Sequence, residues 1–379
     1  VGGVKMSMKL TENRQLVVKS LADFAKAVLE PIAYDDDRSA RVPEEIIKKI
    51  ADKNFFGMTI PKEFGGYDAD FVSVASMAEE FGKANSAAAA IAMTHLVMAE
   101  QTILKYGTEE QKKQYLPDMV KGDKLGGYAY AEPGASLASG ENKVSAVKRG
   151  NCYSLTGKKA FVANGGAADV YVVIAQTNEA EGLNGLSAFI VDSDDVKVTK
   201  NTDKLGLRSF PTAELEFTET KGQLLGKENE GLKIAKEIQA RADIAFAAIG
   251  AGTAKAALEH SVKHSKTRVQ FGSPISKLQA VQWLLAEMAN NLHILNTLTY
   301  KAAAFVDANE DYFMESVYLK MFAQKATFEI GTNAVQIHGG TGYSREAKIE
   351  RYFRDLRGLF NIDSINEYPQ KIIAGNLLK

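Results

Sequence analysis

The sequence predicts an α+β protein in three blocks: helices over residues 8–125, short strands over 126–226, and helices again over 227–379. Two observations carry this reading. The apolar spacing changes from a period of about 3.6 to about 2 near Gly126, then returns to the helical period beyond the Gly226 to Gly231 link. At 379 residues the chain is also too long for one simple core. Strands between two helical blocks read as a small β-domain set between helical domains.

Composition narrows the function classes. Apolar residues make up 45% and charged residues 25%, as in an ordinary globular protein. Lys plus Arg number 46 against 47 Asp plus Glu, so no global field favours nucleic acid or a membrane surface. The single Cys152 allows no internal disulfide and leaves no thiolate cluster, so no metal is expected. His260 and His264 stand one helical turn apart with no acidic residue between them, which reads as a packed or solvated pair. No run of about 18 apolar residues occurs, so nothing is expected to span a bilayer. Val1 to Met8 reads as an extension ahead of a start at Met6 or Met8 rather than a signal peptide, and a cytoplasmic location is expected.

Taken in order, Leu16, Val17, Leu21, Phe24, Ala25, Val28 and Leu29 form one helical stripe. Val42-Pro43-Glu44-Glu45 starts a helix that Ile46, Ile47 and Ile50 continue. Phe56 to Gly66 is a loop, broken by Pro61 and a diglycine. From Ser73 to Tyr106 the chain is rich enough in Ala for close helix packing, with Thr94 and His95 either satisfied in the core or lining a pocket. Thr108 and Gln111 spell a capping box. Tyr128–Tyr130, Cys152–Leu155, Ala160–Val162, Val170–Ile174, Ser187–Val191 and Ala213–Phe217 read as strands. Helices near 232–265, 278–307 and 311–337 suit a bundle. Beyond them, Gly339, Gly340 and Gly342 either cap a helix or let another molecule approach the backbone.

The stretch Gln336-Ile337-His338-Gly339-Gly340-Thr341-Gly342-Tyr343, with Glu350-Arg351 and Arg354-Asp355 after it, resembles the acyl-CoA dehydrogenase family. Pro61–Gly66, Tyr106–Pro117, Glu132–Ala135, Leu205–Thr212 and Arg268–Ile275 resemble that family's segments in the same order. The resemblance implies the acyl-CoA dehydrogenase fold: an N-terminal helical domain, a central β-domain and a C-terminal four-helix bundle, with bound FAD in a homodimer or homotetramer. It implies that a carboxylate takes the α-proton of a thioester while the flavin accepts the β-hydride, which leaves through an electron-transfer flavoprotein or another acceptor. By position, Arg268, Phe271, Gln279, Gln336, Gly339 and Gly340 would bind FAD from the bundle. Tyr130, Ala131, Phe161, Ala163 and Ser364 would border the flavin, and Ser136, Arg241 and Thr94 would meet substrate.

The sequence also departs from the family. A gapless count from Arg354-Asp355 sets Ile362-Asp363-Ser364-Ile365 on the family's Tyr-Glu-Gly-Thr, so Asp363 becomes the catalytic base, with a reach shorter by about 1.5 Å. The competing role for Asp363 is to cap the last helix. A minority of the family carries the base just before an Arg on a bundle helix, and Ala240-Arg241 leaves that place empty. The serine that commonly helps hold CoA falls on Leu137, and the family's hydroxyls beside the flavin are Ala131 and Ala163. These changes point away from plain straight-chain acyl-CoA. They point toward acyl or aminoacyl groups on a carrier protein, or toward cyclic acyl-CoA, with ordinary fatty acyl-CoA still open. The other readings are a nitroalkane-oxidase-like flavoprotein oxidase and a fold relative without dehydrogenase activity.

Overall fold

The computed structural model describes residues 12–41, 44–135, 141–360 and 368–379. Its first helices are α1 (Glu12–Phe24), α2 (Ala33–Ser39), α3 (Glu44–Asp52), α4 (Phe71–Ala84), α5 (Ser86–Met93), α6 (Gln101–Tyr106) and α7 (Glu109–Val120). Local chemistry sets several of the starts. The Asp70 carboxylate accepts from Ser73 N–H at α4, Asn85 accepts from Ala88 N–H at α5, and the Thr108–Gln111 capping box forms at α7.

A wide π-helical stretch, Thr94–Glu100, joins α5 to α6. By length and composition alone Ser86–Tyr106 is apolar enough to cross a membrane, but 94% of its most apolar window is buried inside the fold. It is the central core helix of this block.

Seven strands follow: β1 (Gly126–Ala129), β2 (Ser145–Arg149), β3 (Cys152–Ala163), β4 (Val170–Gln176), β5 (Leu186–Asp192), β6 (Val196–Asn201) and β7 (Thr212–Leu225). The pairings β1–β4, β4–β5, β5–β7, β7–β3 and β3–β1 close on themselves, so the sheet is a barrel with little open edge. Tyr153, Leu155, Val162, Tyr171, Phe189 and Phe217 fill it.

The two segments expected as separate strands over 152–162 are one strand. It keeps pairing with β7 through two register shifts, one between Leu155 and Gly157 and one between Lys159 and Val162, where Phe161 takes φ +51°. β2 and β6 were not expected: both are mostly exposed and charged, and in β6 only Val196 and Val198 alternate with polar residues.

The last block holds α8 (Gly231–Thr267), the short hairpin β8 (Val269–Gln270) and β9 (Ser273–Pro274), α9 (Gln279–Asp307), α10 (Phe313–His338), α11 (Gly340–Tyr343), α12 (Ile349–Gly358) and α13 (Tyr368–Leu377). The expected turn at Arg268–Ile275 is therefore a hairpin, with Phe271 and Gly272 both at positive φ at its tip.

Helix α12 ties the blocks together. Arg354 donates to both oxygens of Asp37 at 2.9 and 2.6 Å and to the Leu205 carbonyl at 2.9 Å, and it also pairs with Glu350. Asp355 accepts from Leu207 N–H at 2.7 Å. A Cβ on Gly206 would stand 2.0 Å from the Arg354 carbonyl oxygen, so only glycine lets the β-domain loop approach this closely. That explains why the Leu205–Thr212 and Arg351–Asp355 segments appear together.

Candidate active site

The start of α8 and the start of α10 border a groove of about 560 Å³. Lys105, Lys233 and Lys236 supply cationic heads, Leu232, Tyr312 and Phe313 supply apolar surface, and buried Ala240 lies in its lining. The family's alternative base position is thus a small apolar patch in the groove.

Arg241, beside it, is already engaged. It donates to the Tyr312 hydroxyl at 3.1 Å and to Gln101 Oε1 at 3.2 Å, and it pairs with Glu237 at 3.3 Å. Burial opposes ionisation of Glu237, but hydrogen bonds from Lys105 and Tyr106 and the Arg241 charge outweigh it, holding the carboxyl below its usual range. This network ties both Arg241 and Lys105 to Glu237 and leaves the exposed Lys233 and Lys236 as the groove's cationic lining outside it.

Further along α8, Asp243 is buried and bonded to Lys320 of α10. Lys320 Nζ donates to Asp243 Oδ1 at 2.7 Å, and Gln239 Nε2 donates to the same oxygen at 2.8 Å. Burial pushes the Asp243 carboxyl up, against the pull of the Lys320 charge and both hydrogen bonds. The sequence reading missed this pair, which joins residues 77 apart in the chain. The available signal was a lone Asp in an otherwise apolar Ala/Ile stretch of α8.

The residues expected to hold FAD from the bundle gather at one end of it. The His264 and His338 rings stack with centroids 4.2 Å apart, which sets the end of α8 against the end of α10. Arg268, one turn beyond His264, and Gln336, Gly339 and Gly340 are all exposed there, as are Phe271 on the hairpin and Gln279 at the start of α9. The expected His260–His264 pair is instead divided: His264 packs on His338, and His260 on Tyr352. Gly339 takes φ +59°, and a Cβ at Gly339 or Gly340 would meet nothing within 4 Å, so their backbone is open to a ligand.

On the β-domain, the bulge at Phe161 leaves its ring 53% exposed. Tyr130 is buried with its hydroxyl unbonded among the described residues, Ala131 is half-buried, and Ala163 is fully buried within β3. Below them Lys159 donates to the Tyr130 carbonyl and to Glu132, both at 2.8 Å, which fixes the strand end. An exposed flat ring, an orphaned hydroxyl, an open diglycine and an exposed guanidinium fit the parts of FAD: an aromatic ring system and a pyrophosphate.

Thr94 is fully buried and its hydroxyl has no partner among the described residues, so it is neither a satisfied core group nor an exposed contact. His95 accepts from Gly126 N–H at 2.8 Å and serves the junction of the helical block and the barrel. Asp363, Ser364, Ser136 and Leu137 lie outside the described residues.

A seat of exposed aromatic and open backbone groups at one end of the bundle, and a cationic groove at its other end near the starts of α8 and α10, suit a class, the flavin oxidoreductases acting on CH–CH bonds. Comparison with known proteins is consistent throughout the chain. Family models match in order: "Acyl-CoA dehydrogenase, N-terminal domain" over residues 11–123, "middle domain" over 127–220 and "C-terminal domain" over 229–378. A 3-(aryl)acrylate reductase of Clostridium sporogenes is 37% identical, covering 98% of this chain and 100% of its own. The caffeyl-CoA reductase-Etf complex subunit CarC of Acetobacterium woodii is 34% identical, with coverage of 98% and 100%. The structure of butyryl-CoA dehydrogenase from Megasphaera elsdenii superposes with a TM-score of 0.95 at 32% identity, covering 99% and 100%.

The chain belongs to the acyl-CoA dehydrogenase family. It is an FAD-dependent oxidoreductase that works on the CH–CH bond next to a thioester carbonyl.

Proposed function

We propose that the substrate is an acyl thioester of CoA, held by its phosphates in the lysine-lined groove, with Asp363 as the group that takes or returns the proton at Cα. The observation that carries this is the groove itself. Lys233 and Lys236 border an opening whose apolar walls are Leu232, Tyr312 and Phe313, which suits a phosphorylated, otherwise greasy arm. Lys233 and Lys236 are exposed, so their charge is available to an incoming anion. This moderates the inference drawn from Leu137: cationic side chains on α8 can do the work of a lost serine.

FAD, when bound, supplies the hydride acceptor for the β-carbon. The protein's part is to hold the thioester in the groove, present a carboxylate to Cα and exclude water so that the carboxyl pKa rises toward neutrality. Two of the relatives bear reductase names, so the same residues would serve either direction, with Asp363 delivering the proton when a double bond is reduced. We assign the electron partner to an electron-transfer flavoprotein, in line with the Etf-complex relative. The assembly is a homo-oligomer in which the exposed bundle end of one copy meets another.

The test is anaerobic bleaching of the purified holoprotein near ~450 nm, the flavin being its own reporter. The same acyl groups would be offered on CoA and on a carrier protein. CoA esters are expected to bleach it. Bleaching by the carrier-bound form alone would overturn the assignment to CoA. Asp363→Asn is expected to keep FAD and slow reduction by at least about a hundredfold, the low end for a positioned base; unchanged reduction kinetics would remove Asp363 from the mechanism.

A further inference from the structure

The groove does not end in a purely apolar wall. Two small cavities of about 10 Å³ each flank the Asp243–Lys320 pair, and both residues line both of them. The first cavity shares Lys236, Ala240 and Phe313 with the groove, so it continues inward from the place where the acyl group enters. Asp243 lies one helical turn past Ala240.

Asp243 is 7% exposed, yet both of its hydrogen bonds fall on Oδ1. Among the described residues Oδ2 accepts none. An open acceptor on a buried side chain that lines a cavity is a place for a donor.

The charges around Oδ2 decide which donor. An anionic substituent would face the Asp243 carboxylate, and a cationic one would face the Lys320 ammonium in the same confined space. A plain alkyl end would leave Oδ2 desolvated without a partner. A neutral hydroxyl offends neither charge, since it donates to Oδ2 and keeps lone pairs for the ammonium. A cavity of about 10 Å³ also holds roughly one water-sized group, the size of a hydroxyl and no more.

We propose that Asp243 Oδ2 accepts a hydrogen bond from a hydroxyl on the acyl portion of the substrate, making hydroxyacyl thioesters the substrate class and Asp243 with Lys320 the specificity device. This rests on the thioester reading of the groove. It also gives a reason for a buried ion pair where a packed apolar pair would be no less stable.

The experiment compares pentanoyl-CoA with its 4-hydroxy, 5-hydroxy, 4-fluoro and 5-fluoro derivatives, following flavin reduction anaerobically in the holoprotein. Fluorine approximates the hydroxyl in size but donates nothing. At one of the two positions the hydroxy ester is expected to be favoured over its fluoro partner by about tenfold or more in reduction rate over dissociation constant. In Asp243→Leu/Lys320→Met, which removes the acceptor and the charge together, that preference is expected to fall to about twofold or less. Equal handling of hydroxy and fluoro esters by the parent would overturn the proposal, whether or not the double variant folds. So would a preference that survives in the variant. If none of the esters perturbs the flavin, the thioester reading fails first, and that result is distinct from equal bleaching by all.

Discussion

At the residue scale, Asp36 shows how burial writes a pH dependence into the fold. Its carboxyl is pushed up to about 6 by burial, with the Asp35 charge adding to this, while the Asn85 hydrogen bond and the Arg351 charge pull the other way. A carboxyl whose folded pKa lies above its unfolded value near 3.8 binds its proton more tightly when folded. Its contribution is therefore fully present below that unfolded value and is lost as pH rises toward about 6. Asp36→Asn retains a carbonyl beside Asn85 but cannot ionise. Its stability relative to the parent is expected to rise across this window and then level off, read from urea unfolding at a series of pH values. A difference that does not change with pH would show that Asp36 titrates alike in both states.

At the scale of elements, the contact between α4 and α8 depends on two glycines. A Cβ on Gly252 would lie 1.9 Å from the Glu79 carbonyl oxygen, and one on Gly82 would lie 2.5 Å from that of Ile249. Both obstacles are backbone, so the helices themselves would have to part. Ser86 and Thr253 hydroxyls bond each other at 2.9 Å at this crossing, and separation would break that bond too. Gly252→Ala is expected to destabilise the protein by about 2–3 kcal/mol, the upper part of the usual overpacking range, measured by chemical denaturation. A change within about 0.5 kcal/mol would mean that the helices part at little cost.

The same elements show what a sequence can and cannot disclose. The long periodic helices and the Thr108–Gln111 box were legible because their signals are local, carried by residues a turn apart. β2 and β6 were not, although each pairs with the next strand in the chain, since Lys148, Arg149, Lys197 and Lys200 are exposed on strands that bury almost no apolar surface. The residues proposed to hold the cofactor at the bundle end were read from a motif, whereas Asp243 was overlooked because its meaning depends on Lys320 in another helix. Arg241 shows a further limit. Its position was legible, but not that Glu237, Tyr312 and Gln101 would occupy its guanidinium.

At the scale of the whole molecule, the exposed apolar side chains are unevenly placed. Phe271 is 91% exposed at the hairpin tip, Tyr343 is 87% exposed after the diglycine, and Trp283 is 61% exposed near the start of α9. The His264–His338 stack brings the ends of α8 and α10 together, so Phe271 and Tyr343 flank the residues proposed to bind FAD. Aromatic groups concentrated beside a cofactor seat mark a surface meant to be covered. If another copy covers it, assembly and cofactor retention are one property, since each copy completes the other's site. Phe271→Asp places a charge at the centre of that surface. It is expected to shift the protein to smaller species in sedimentation and to lower FAD occupancy in the same preparation. Arg268→Ala, which removes a cofactor contact but little apolar surface, is expected to lose FAD with less change in assembly. The contrast separates the two roles: if Phe271→Asp leaves both sedimentation and flavin content as in the parent, the bundle end is not the interface, and the cofactor is held within one chain.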